Sequence, residues 1–167
     1  MYIVTTLSYD ELSRLIRDKK ISLNNADLLF GYTTDGINKY FSERIGNTGY
    51  VVGLRGRINP TTAQVFAQLD KAVKSGDRVI LEAEINEDDM ISFTVDGINA
   101  AAEALAYGLP DEDIYNQLDH SQLSGQPGED KIQVICIPHI KLENKLRVTS
   151  LREEIAFNLK GITFVKL

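Results

Sequence analysis

Three groups of residues have the types and spacing to do chemistry. The first is Arg55 and Arg57, in the run Leu54-Arg55-Gly56-Arg57-Ile58-Asn59-Pro60. Alternate residues of a strand share a face, so two guanidiniums would stand together just before Asn59-Pro60, a helix N-cap followed by proline. Such a pair beside a helix N-terminus suits a pyrophosphate, and the same arginines would also pair with the acidic middle of the chain. The second group is Glu82 and Glu84, alternate residues of a strand-like segment, ahead of Glu87, Asp88 and Asp89 in the following turn. They would supply paired carboxylates for general acid and base work, or oxygens for a divalent cation. The turn lacks the spacing and glycine of a calcium loop, and a solubilising role accounts for it better. The third is Gln133, which opens the apolar run Gln133-Val134-Ile135-Cys136-Ile137-Pro138 just after the loop Ser124-Gly125-Gln126-Pro127-Gly128.

The common catalytic signatures are absent. The sequence contains no GxxxxGK[ST] phosphate loop, no GxGxxG after a strand, no HExxH and no GxSxG. His120 and His139 are the only histidines and read as surface residues, so a catalytic zinc is not expected. The single Cys136 rules out an internal disulfide, and its apolar setting reads as a buried, inert thiol in a reducing compartment. The first residues lack a basic flank and an apolar h-region, and no apolar run approaches the ~20 residues that span a bilayer. A cytoplasmic protein without a membrane partner is expected.

The net charge of −6 hides an asymmetry. Residues 1 to 60 carry eight Lys/Arg and six Asp/Glu, residues 61 to 130 three and fifteen, and residues 131 to 167 seven and three. The acidic middle is either a solvated face or a surface for a basic protein partner. No basic stripe interleaved with aromatics is present, so a nucleic acid partner is not expected.

The elements that would position these groups follow from capping and periodicity. Ser8-Tyr9-Asp10-Glu11 predicts a capping box flanked by Leu7 and Leu12 as a staple, opening a helix that ends near Lys19-Lys20. Thr34 or Asp35 would cap a second helix carrying Ile37, Tyr40 and Phe41 on one face and stopping at Gly46. A strand is expected over residues 49–55, a helix from Asn59-Pro60 to Gly76, and a strand with one wetter face over 78–85. A short strand over 91–95 should precede an alanine-rich helix from Asn99 to Tyr107, closed by Gly108, and then another helix from Leu109-Pro110-Asp111 to about Leu118. Ser121 to Asp130 reads as a loop and Lys131 to Pro138 as a buried strand. Lys145 to Thr149 is a further strand, Ser150-Leu151-Arg152-Glu153 a second capping box and Gly161 to Leu167 a closing strand. At 167 residues, 1–167 reads as one domain mixing helices and strands.

In order, these segments resemble the ADP-ribosyltransferase-like family, in particular the DNA-targeting ADP-ribosyltransferase toxins of bacterial toxin-antitoxin pairs. Tyr2-Ile3-Val4-Thr5 and the helix ending in Asp18-Lys19-Lys20-Ile21 look like the family's opening strand and helix. Phe93-Thr94-Val95-Asp96-Gly97-Ile98-Asn99-Ala100-Ala101 is similar to its Phe-Thr-Asp, Asn-Ala segment. Gln133 to Pro138, running on to Ile140 and Leu142, is similar to the strand and turn that hold its catalytic glutamate. The resemblance implies an α+β domain with mixed, mostly antiparallel sheets and packed helices, binding NAD. It places Thr5 and Arg55 against the cofactor and Gln133 at the catalytic position. Two departures matter: Ile3 stands where the family has histidine, and Gln133 replaces the glutamate. A neutral amide cannot stabilise an oxocarbenium ion as a carboxylate does, so altered or lost transferase activity is expected. The alternative is a non-enzymatic interaction module, an inhibitor or accessory subunit, using the acidic surface from Glu82 to Asp113 on a basic partner.

Overall fold

The chain enters its first helix through the expected capping box. The Glu11 amide donates to Ser8 Oγ at 3.1 Å, and the Ser8 amide donates to Glu11 Oε2 at 2.7 Å. Leu7 and Leu12 on either side of the cap are buried, as is Leu15 one turn on. The computed structural model describes residues 1–25, 35–46, 49–56, 78–121, 133–150 and 162–166. In chain order its elements are strand β1 (Tyr2–Ser8), helix α1 (Tyr9–Asp18), β2 (Lys20–Ile21), α2 (Asp35–Ile45), β3 (Val51–Arg55), β4 (Arg78–Glu84), a 3-10 turn (Glu87–Asp89), β5 (Ile91–Thr94), α3 (Val95–Ala106), α4 (Asp111–Ser121), β6 (Gln133–Ile137), β7 (Ile140–Lys141), β8 (Leu146–Ser150) and β9 (Ile162–Lys166). The class is mixed α+β with mostly antiparallel pairing, as expected. The helix expected from Asn59 to Gly76 lies outside the described residues, as do Arg57 and nearly all of the loop after Ser121 and of the box after Ser150.

Two compact units divide the chain, each assembled from separated stretches. The first comprises Met1–Ile21, Arg55–Glu87 and His139–Leu167. Here β1 pairs antiparallel with β4, β4 antiparallel with β8, and β8 parallel with β9. A short antiparallel ribbon of β2 and β7 follows α1, with Lys20 opposite Lys141 and Ile21 opposite Ile140. The expected wetter face on β4 is not observed: Val79 to Ala83 are buried in succession, Glu82 among them at 1% exposure. Arg147, its cross-strand neighbour on β8, brings Nε to 3.5 Å from Glu82 Oε2.

The second unit comprises Ser22–Leu54 and Asp88–Pro138. β6 pairs antiparallel with β3 on one side and β5 on the other. Tyr40 and Phe41 of α2 meet Phe93 of β5 edge to face, with centroids 6.2 and 5.6 Å apart, and Tyr50 tilts against Phe41 at 5.2 Å. Ile98, Ala101 and Ala104 of α3 and Ile114 and Leu118 of α4 complete this core. Buried Asn25 mimics a strand residue, donating from Nδ2 to the Val52 carbonyl at 2.9 Å and accepting from the Val52 amide at 2.7 Å. Helix α3 starts four residues earlier than its alanines suggest. Thr94, in extended conformation, ends β5 and accepts from the Gly97 amide at 3.1 Å, so the N-cap sits at Thr94 and Val95 is already helical.

Candidate functional site

The three residues singled out by the resemblance lie in regular strands. Thr5 is 3% exposed in β1, opposite Leu81. Gln133, 5% exposed, opens β6 opposite Thr94, and its Oε1 accepts from Ser92 Oγ at 3.3 Å. Arg55 is half-buried at the end of β3, and the amide of the next residue, Gly56, donates to the Tyr2 carbonyl at 2.8 Å. Tyr2 is three residues along β1 from Thr5, about 10 Å of strand at ~3.3 Å per residue. Thr5 and Arg55 belong to the first unit and Gln133 to the second. Cys136 is buried in β6, and burial pushes its thiol well above the usual range, as its apolar setting predicts.

The most unusual surface of the second unit is built where α3 hands over to α4. Tyr107 caps α3, its amide donating to the Glu103 carbonyl at 3.0 Å. The Gly108 amide then reaches the Leu105 carbonyl at 2.9 Å, and the Leu109 amide reaches the Ala104 carbonyl at 3.1 Å. This is the paired bonding of a Schellman turn, and Gly108 supplies the left-handed residue it needs, at φ 70°. Pro110 follows, its carbonyl accepting from the Asp113 amide at 3.0 Å, and α4 opens with Asp111, Glu112 and Asp113. Carboxylates in a first turn complement the helix dipole, which explains their presence but not what stands beside them.

Beside them stand Tyr107, 77% exposed, and Leu109, 46% exposed, the two large apolar side chains that are exposed among the described residues. Along this stretch of sequence the charge has one sign. From Asp88 to Ser121 the sequence holds eight Asp/Glu and no Lys or Arg. Asp119 is neutralised from α2, where Arg44 Nη2 approaches its two oxygens to 2.6 and 2.7 Å and Tyr40 Oη donates at 2.7 Å. Asp96, Glu103, Glu112 and Asp113 are exposed and make no ion pair among the described residues. Tyr107 and Leu109 thus stand beside the acidic first turn of α4, whose Glu112 and Asp113 make no ion pair among the described residues. Beneath α4, Tyr115 packs edge to face on Tyr40 at 5.2 Å, which anchors the tip to the aromatic core.

Reading the alanine-rich helix as core packing accounts for Ile98, Ala101 and Ala104 but misses Tyr107. A signal was available. Successive steps of three residues drift by about 60° around an α-helix, so three steps carry Tyr107 to the side opposite Ile98. Among the described residues no group of three His, Cys, Asp or Glu side chains is arranged to hold a metal ion, and no helix is long and apolar enough to cross a membrane. No protein-family model matches the chain, and neither a curated protein nor a solved structure matches it.

Proposed function

We propose that this protein is a non-enzymatic interaction module that docks an Arg/Lys-rich segment of a basic protein partner on the acidic tip joining α3 and α4. The observation that carries this reading is Tyr107, held 77% exposed by a bonded turn that leads into the acidic first turn of α4, whose Glu112 and Asp113 make no ion pair among the described residues. An exposed tyrosine on a hydrogen-bonded turn is the kind of side chain that dominates interface energetics, while like-signed charge near it raises the encounter rate and rejects acidic partners. The carboxylates lie at the edge of the acidic region expected from sequence, and the apolar pair gives that region an anchor. The lone buried thiol suits a reducing compartment such as the cytoplasm.

Selection of displayed random peptides on the immobilised protein tests the reading. The expected winners are rich in Arg and Lys with an apolar residue among them, and their binding weakens steeply between 50 and 300 mM salt, on the order of the screening expected for exposed charges. Tyr107→Ala is expected to weaken binding roughly 30-fold, as loss of a hot-spot residue does, while leaving the thermal midpoint unchanged. Neutral winners, or binding indifferent to Tyr107→Ala, would sink it.

The competing reading is an ADP-ribosyltransferase-like domain that binds NAD or a related nucleotide through Thr5, Arg55 and Gln133, with altered or lost transferase activity. In its favour, Thr5 and Gln133 are polar residues kept inside buried strands. One measurement separates the two. Ligand at ~100 times its dissociation constant stabilises by roughly 2.7 kcal/mol, so millimolar NAD should raise the midpoint by several degrees if such a cleft works. The interaction-module reading expects no shift, and a shift abolished by Arg55→Ala would replace it.

A further inference from the structure

We infer that the first unit carries a separate anion site at the ribbon of β2 and β7, suited to a compact phosphorylated small molecule bearing two adjacent phosphate charges. The site is a surface depression of about 380 Å3 lined by Asp18, Lys19, Lys20, Lys141, Leu142 and Glu143. Thr5, Arg55 and Gln133, the site positions that the family resemblance implies, do not line it, and none of its residues belongs to the acidic tip.

Three observations converge. Lys20 and Lys141 are directly opposed in the antiparallel register, and β-carbons of such a pair lie about 5 Å apart. Like charges in that relation repel, so an anion between them relieves a repulsion built into the ribbon. Next, Lys19 stands at the same rim as the C-cap of α1, in the left-handed conformation at φ 62° and ψ 2°, its carbonyl accepting from the Leu142 amide at 2.8 Å. That bond ties the helix end to the turn after β7 and fixes the third lysine beside the other two. Finally, Asp18 is engaged from outside the depression, while Glu143 shares Lys141 in an exposed pair that an incoming anion displaces at little cost. Arg17 donates to both oxygens of Asp18 at 2.8 and 3.0 Å, and Lys141 Nζ lies 3.5 Å from Glu143 Oε1. Lys19 and Lys20 are exposed and make no ion pair among the described residues.

The chemistry of the lining selects the ligand. Lysine ammonium groups are flexible point charges that bind phosphate without demanding planar, bidentate geometry. The volume falls at the lower end of the range for small-molecule sites, roughly 300 to 1,000 Å3. Among the described residues no aromatic ring lines it to stack a base, and the two acidic side chains of the lining disfavour an extended polyphosphate backbone.

The test uses inorganic diphosphate as the probe on the full chain, with sodium chloride at matched ionic strength as the control. Diphosphate at 10 mM, on the order of 100 times a dissociation constant near 0.1 mM, is expected to raise the thermal midpoint by several degrees. The double variant Lys20→Gln/Lys141→Gln should lose that shift, and Lys145→Gln, outside the depression, should keep it. Both variants replace exposed side chains, and a circular dichroism spectrum matching the parent confirms their fold. An equal shift with sodium chloride, no shift at all, or a shift that survives in the double variant would overturn the inference. The single variant Lys20→Gln serves the same comparison if the double variant fails to fold.

Discussion

Two helix ends, one in each unit, solve the same backbone problem and leave opposite surfaces. Helix α3 stops in a Schellman turn on Gly108 at φ 70°, and helix α1 stops on Lys19 at φ 62°. Both turn the chain through a left-handed residue, and beside both stand charges that make no ion pair among the described residues, Glu112 and Asp113 at one and Lys19 and Lys20 at the other. At the α3 end the charges are carboxylates of the first turn of α4, next along the chain from Tyr107 and Leu109. At the α1 end they are ammonium groups around a depression with one aliphatic side chain, Leu142. An apolar anchor in a charged rim provides the area that a macromolecular contact needs, whereas charge alone suits a small, strongly hydrated ion. The difference between the two surfaces lies in what apolar area each turn exposes, not in how many charges it carries.

The comparison breaks most sharply if the foundation of the acidic tip is removed. Phe41 is fully buried between Tyr40, Tyr50 and Phe93, and Phe41→Ala is expected to cost about 3–5 kcal/mol in urea unfolding, as large-to-small aromatic changes in a core do. A loss under about 1 kcal/mol would mean that the aromatic cluster does not hold the tip, since even an aliphatic trimming of one methylene in a core costs about that much. Next in size is Gly108→Ala. A β-carbon there would meet nothing within 4 Å, so the whole cost is conformational, about 1–2 kcal/mol for an L-residue in left-handed geometry. The mirror change, Lys19→Gly, should stabilise by less than about 1 kcal/mol, because relief of that strain is partly offset by glycine's entropy. If the two changes shift stability in the same direction, the two helix ends are not equivalent.

The smallest effect is on pH dependence. Burial, and then the nearby Glu43 carboxylate, raise the pKa of the Tyr115 phenol above its ordinary value. A raised folded-state pKa contributes stability that is present below the unfolded value, about 10, and is lost as pH climbs through the folded value. Tyr115→Phe should therefore unfold with the same pH profile as the parent up to about pH 10 and lose less stability beyond it. Parallel profiles above pH 10 would remove Tyr115 from the account.

Legibility followed the range of the interactions. The capping box at Ser8, the stop at Lys19, the face of Tyr40 and Phe41 and the buried strand at Gln133 to Ile137 were readable because each depends on residues within one or two turns of one another. Thr94 as a cap was missed because β-branched residues suit a strand equally well, and only the Gly97 amide decides between them. Glu82 was misread because alternation cannot show that both faces of a strand are covered. The acidic middle of the chain was plain in composition, but Tyr107 within it was not.

The sequence by itself determined where helices begin and end, which segments enter a core, and the separation of acidic from basic stretches, since caps, periodicity and charge act locally along the chain. Only the tertiary structure decided that Arg147 compensates Glu82, that Arg44 neutralises Asp119 and that Lys20 faces Lys141, partners separated by 65, 75 and 121 positions. Such pairings depend on strand register and helix packing, where a shift of one residue would replace every partner, and no local pattern encodes them.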